Sequence, residues 1–82
     1  MKLVIINPHS KHEYTVQWIE AHTPSGSLVL KSDHAPIILS LVAGSDFSFV
    51  LDTHEKKIIN LTRPGFLEVF RTSAIALINQ EE

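Results

Sequence analysis

The chain of 82 residues contains no cysteine, so disulfides and thiolate metal sites are excluded and no covalent staple holds the fold. Glycine is scarce: there are three, none adjacent to another, and a glycine-rich phosphate loop is therefore missing. Basic runs are absent as well. Seven lysines and arginines are scattered among nine acidic residues for a net charge of −2, and nothing resembles the cationic stripe that nucleic-acid binding needs. No apolar stretch approaches the roughly 20 residues of a membrane span. Apolar clusters such as Ile37–Leu39 and Ala74–Ile78 are strand-sized. Met1–Ile6 carries one lysine and then strand pattern, without the apolar core length or small-residue cleavage site of a signal peptide. These absences predict a soluble cytoplasmic protein. Helical periodicity is missing too, because no window holds an i, i+3, i+4, i+7 apolar pattern over three turns.

What is present is strand pattern and turn chemistry. Hydrophobic residues make up 44 %, with Val, Ile and Leu dominant, which permits a core. Charged residues make up 20 %, below the usual quarter or so, which points to a protein that shares part of its surface. A domain this small buries only about 60 % of the surface its unfolded chain exposes, so its stability rests on apolar burial or on a partner. Turn signals recur at Asn7-Pro8-His9-Ser10, Thr23-Pro24-Ser25-Gly26, Lys31-Ser32-Asp33-His34, Ala43-Gly44-Ser45-Asp46, Asp52-Thr53-His54-Glu55 and Thr62-Arg63-Pro64-Gly65. Spacing of about 8–12 residues between turns is that of a sandwich or barrel. Thr23–Gly26 has the Pro and Gly positions of a type I turn; Arg63-Pro64-Gly65-Phe66 reads as type II, with Gly65 at the position that needs positive φ.

Between the turns, Leu3–Ile6, Glu13–Ala21, Ser27–Leu30, Pro36–Val42, Phe47–Leu51, Lys57–Leu61, Phe66–Phe70 and Ala74–Ile78 read as strands. Glu13–Ala21 changes phase: Tyr14, Val16 and Trp18 alternate first, then Ile19 and Ala21 take over the other parity. Such a change predicts a bulge or a strand covered on both faces. The expected architecture is all-β, a small two-sheet sandwich of about eight to ten short strands forming one domain over residues 1–82.

Three motifs in order carry a family resemblance. The stretch Thr23–Pro36, TPSGSLVLKSDHAP, is a turn ending in Gly26, then a short apolar strand, then a loop closing in His34-Ala35-Pro36. Gly44 follows, and then Pro64-Gly65-Phe66-Leu67-Glu68-Val69. A last apolar strand, Ala74-Ile75-Ala76-Leu77-Ile78, ends the pattern. Taken together, the run resembles the N-terminal β-sandwich of the F-type ATP synthase epsilon subunit over nearly the whole chain. Departures from the family pattern are Val29, Ser32 and Asp33 where glycine or proline is usual, Ser27 where an acidic residue is usual, and Pro64 for the first Gly of a Gly-Gly pair. Asp33 is the departure that best tolerates positive φ. The resemblance implies a central-stalk subunit that docks the gamma subunit to the c-ring, with mechanical function and no bond made or broken. It implies gamma and the c-ring as partners, no cofactor, a monomer in isolation, and a location peripheral to the membrane through the synthase. Carried over by position, Gly26, Ser27, Asp33, His34, Ala35 and Pro36 are the candidate c-ring contacts, and Phe66, Leu67, Glu68 and Val69 the candidate gamma contacts. Typical members continue beyond this domain into a two-helix hairpin that carries inhibition and, in some, ATP binding; with Glu82 as its last residue, the sequence is expected to be a short form to which those functions do not carry over.

Read without the family, these residues have plainer roles. Pro36 biases Ala35 toward extended backbone and withholds a donor where a strand begins. His34 is either a loop hydrogen-bonder or a partner contact. Phe66, Leu67 and Val69 read most simply as core, each contributing about 1.5–3 kcal/mol when buried. Glu68 points outward by alternation, to solvent or to a partner's cation. Trp18 is either core or an interface anchor. Two further functional classes stand beside the rotor reading. For an enzyme, His9 and His12 flank one turn while His22, His34 and His54 lie in separate turns or strand ends, no nucleophile elbow is present, and the closely spaced ligand pairs of structural zinc are absent. For a stand-alone binding module, the exposed edges of a small sandwich can pair with a foreign strand.

Overall fold

The computed structural model describes residues 1–80. Eight strands follow one another: β1 (Lys2–Ile6), β2 (Lys11–Thr23), β3 (Gly26–Leu30), β4 (Ile37–Leu41), β5 (Asp46–Leu51), β6 (Lys56–Asn60), β7 (Gly65–Val69) and β8 (Ser73–Leu77). They form a curled eight-stranded sheet of order β4-β7-β8-β1-β2-β5-β6, with β3 also paired to β2. All pairings are antiparallel except β1 with β8. The molecule measures 28 × 27 × 18 Å.

β2 makes this curl possible. Its first part, Lys11–Thr15, pairs with β1, whereas Ile19–Thr23 pair with β3. Ile19 and Glu20 also pair with Phe49 and Ser48 of β5, so β3 and β5 lie on opposite edges of β2. One long strand thus belongs to two halves, β4-β7-β8-β1-β2 and β3-β2-β5-β6, whose inner faces share a core. The register shifts between Val16 and Trp18, which pair with the consecutive residues Leu51 and Val50 and leave Gln17 extra. Of the two outcomes the phase change allowed, the structure has the bulge. It lets Val16 and Ile19, three residues apart, both point inward, and Val16 and Ile19 are buried.

The core holds Leu3, Ile5, Val16, Ile19, Leu30, Leu41, Phe47, Phe49, Leu67 and Val69, all at most 1 % exposed. Phe49 stacks at a tilt against Tyr14 and Phe47, with centroids 5.0 and 6.0 Å away. Pro36 stays outside β4, which begins at Ile37, because it lacks the N–H that a ladder needs. Positive φ occurs at Gly26 (127°), Gly44 (81°), Asp33 (69°) and His54 (72°).

Two expectations are corrected. Gly65 does not adopt positive φ; it is the first residue of β7 and pairs with Leu41. Glycine is required there for space: a Cβ at Gly65 would lie 2.6 Å from the Leu77 carbonyl oxygen of the neighbouring strand. Phe66 is not core. It is 54 % exposed, because Leu67 and Val69 already occupy the inward parity of β7 and successive strand residues face opposite ways.

Candidate docking surface

The register places the outward side chains of the five-stranded half in cross-strand rows. One row runs Ser40, Phe66, Leu77, Ile6; the next runs Ile38, Glu68, Ile75, Val4. Ile38 is 67 % exposed, Phe66 54 % and Leu77 46 %. Phe70, just past β7, is also exposed. Farther along the same face, Lys2 and Lys11 lie 3.5 and 3.8 Å from Glu13, so the charges near β2 are mutually paired. Clustered apolar exposure beside a polar margin marks an interaction surface more than a solvated one. A shallow hollow of about 410 Å³ opens at one border of this face, lined by Pro36, Ile37, Ile38, Glu68, Val69 and Phe70.

Of the four candidate gamma contacts, Phe66 and Glu68 therefore face outward, while Leu67 and Val69 are 0 and 1 % exposed and face the core. The six candidate c-ring contacts separate into two places. Gly26 pairs with Thr23 at one end of β3, in a tight turn where the Thr23 hydroxyl donates to the Gly26 carbonyl at 2.9 Å. Ser27 is exposed, with its hydroxyl 2.8 Å from His22 Nδ1. Asp33 to Pro36 follow the other end of β3. There the Asp33 N–H donates to the Arg71 carbonyl at 2.6 Å, which ties this loop to the β7–β8 turn. A five-residue strand is about 14 Å long, so the two groups do not form one patch. Ala35 and Pro36 are exposed. His34 is half-buried and makes a local hydrogen bond: the Ala35 carbonyl can only accept, so His34 Nδ1 donates to it at 2.7 Å. The left-handed φ of Asp33 shows how the loop forms without the family's glycine.

Trp18, missing from both candidate sets, lies half-buried on the outer face of the other half, with Lys56 Nζ 5.8 Å from its ring centroid. The exposed Ile38, Leu77 and Phe70 also lay outside both sets. Ile38 and Leu77 become recognisable as partners of Phe66 and Glu68 only through the β4-β7-β8 register. Among the described residues no group of three or more His, Cys, Asp or Glu side chains is arranged to hold a metal ion.

No family model matches the chain, and a search of curated proteins also finds no match. Solved structures do match. A chain in the Euglena gracilis mitochondrial ATP synthase structure of OSCP, F1 and c-ring, in rotational state 1, superposes on 95 % of this protein with a TM-score of 0.81 at 14 % identity. A chain in the Tetrahymena thermophila mitochondrial ATP synthase structure of central stalk and c-ring superposes on 98 % with a TM-score of 0.75 at 12 % identity. The fold is shared with ATP synthase chains. This agrees with the epsilon-type resemblance carried by the Gly26, His34-Ala35-Pro36 and Gly65–Val69 motifs. The protein spans 49 % of the Euglena chain and 63 % of the Tetrahymena chain.

Proposed function

We propose that this protein is a non-catalytic, epsilon-type central-stalk subunit of an F-type ATP synthase, docking the gamma subunit to the c-ring in support of proton-driven ATP synthesis. The observation that carries the reading is an exposed apolar sheet face, Ile38, Phe66 and Leu77, on a fold shared with ATP synthase chains. A rotor subunit of this kind does no chemistry. It needs one face to hold a partner firmly and another part to transmit contact, and both halves here are rigidly paired around one core. In this reading the β4-β7-β8 outer face, bordered by the His34-Ala35-Pro36 loop, covers gamma. The Thr23–Gly26 turn with Ser27, about a strand length away, meets the polar loops of the c-ring. The protein is then held at the membrane through the assembly.

Because the chain has no cysteine, single-cysteine variants carry one thiol each and report contacts cleanly. Phe66→Cys is expected to crosslink to gamma and Ser27→Cys to a c-ring loop in the assembled enzyme. A synthase that assembles without incorporating the protein, together with absence of binding to isolated gamma, sinks the proposal and leaves the stand-alone binding module.

A further inference from the structure

The geometry points to Glu68 as a charge filter: the surface that covers the β4-β7-β8 face carries an arginine or lysine placed over the Glu68 carboxylate. This inference rests on the docking reading above and names the partner chemistry it requires. β4, β7 and β8 contain fifteen residues, IILSL, GFLEV and SAIAL, and Glu68 is the one charged residue among them. It sits at the middle of the apolar face. Its cross-strand neighbours are Ile38 on one side and Ile75 on the other, with Phe66 two residues before it on the same face and Phe70 two after. It is already half-buried. The other carboxylate on this face, Glu13, has Lys2 and Lys11 within 4 Å, whereas Glu68 makes no ion pair among the described residues.

Docking changes what this carboxylate costs. While the face is open, water solvates it. A wholly apolar cover would strip that water and leave an unpaired charge, which is among the most unfavourable events at an interface. A cover with a guanidinium or ammonium at that point converts the same burial into a charge-assisted hydrogen bond between isoleucines that exclude water. Apolar area then supplies attraction that many surfaces could satisfy, and Glu68 rejects those without a matching cation.

The test compares Glu68→Gln, Glu68→Leu and Phe66→Asp with the unaltered protein in binding to the purified gamma subunit. Melting curves confirm that each variant is folded. With a facing cation, Glu68→Gln is expected to weaken binding about tenfold and Glu68→Leu about a hundredfold, because the partner's charge is left buried and unpaired. If Glu68→Leu binds as tightly as the unaltered protein or more tightly, the covering surface is apolar and the charge-filter inference is overturned, although the docking reading stands as long as Phe66→Asp abolishes binding. If the unaltered protein itself does not bind gamma, both fail together.

Discussion

Gly65 and Asp33 show how single residues constrain this fold. At Gly65 the constraint is distance, since the Leu77 carbonyl stands where a Cβ would go. Gly65→Ala is therefore expected to destabilise the domain by about 2 kcal/mol or more, as overpacking does, although alanine accepts the backbone angles there. A melting temperature equal to the unaltered protein's would show that β7 and β8 can spread apart freely. At Asp33 the constraint is conformation. Asp33→Gly is expected to be neutral within about 0.5 kcal/mol, whereas Asp33→Val should cost about 1–2 kcal/mol, because only a residue without a crowded Cβ sits easily at φ 69°. Denaturant titrations of the two variants separate these outcomes. Leu67 and Phe66 make a third contrast. Leu67→Ala should cost about 2–5 kcal/mol, as large-to-small core changes do, while Phe66→Ser should change stability little and act on docking.

At the scale of elements, β2 carries the architecture. Its thirteen residues serve two halves of the sheet, and the extra residue Gln17 resets inward parity between them. Inserting one alanine after Gln17 would turn Ile19 and Ala21 outward and Trp18 and Glu20 toward the core. Loss of cooperative unfolding is the expected result, because a one-residue slip exchanges every side chain between faces. A sharp two-state transition in that insertion variant would mean that β2 can absorb a second extra residue in its bulge. Much at this scale was legible beforehand. Turn chemistry delimited eight strand segments, and the shift from Val16 to Ile19 narrowed β2 to a bulge or a strand covered on both faces. Element ends were less legible: β2 runs from Lys11 to Thr23, beyond the expected Glu13–Ala21, because its ends are held by pairing with Ile6 and Gly26 and not by their own apolar pattern.

For the whole molecule the governing fact is small size with apolar surface left uncovered. A domain of this size has a narrow margin of stability. A partner that binds only the folded protein adds stability by mass action, about 2.7 kcal/mol when present at a hundred times its dissociation constant. Adding purified gamma in excess is therefore expected to raise the melting temperature by several degrees, and Phe66→Asp to remove that rise while leaving the isolated domain's melting temperature nearly unchanged. An equal rise in both proteins would move the docking surface away from the β7 face.

The one-dimensional pattern by itself determined the all-β class, the strand segments between turns, a break in alternation within β2 and the outward direction of Glu68, because side-chain alternation and turn preferences act over a few residues and need no knowledge of distant neighbours. Tertiary structure alone decided that Gly65 is needed for space and not for φ, and that Ile38 and Leu77 stand beside Glu68 and Phe66 on one face. The physical reason is common to both: each depends on which strand lies alongside which, and the order β4-β7-β8-β1-β2 joins residues far apart in the chain through hydrogen bonds that no local pattern encodes.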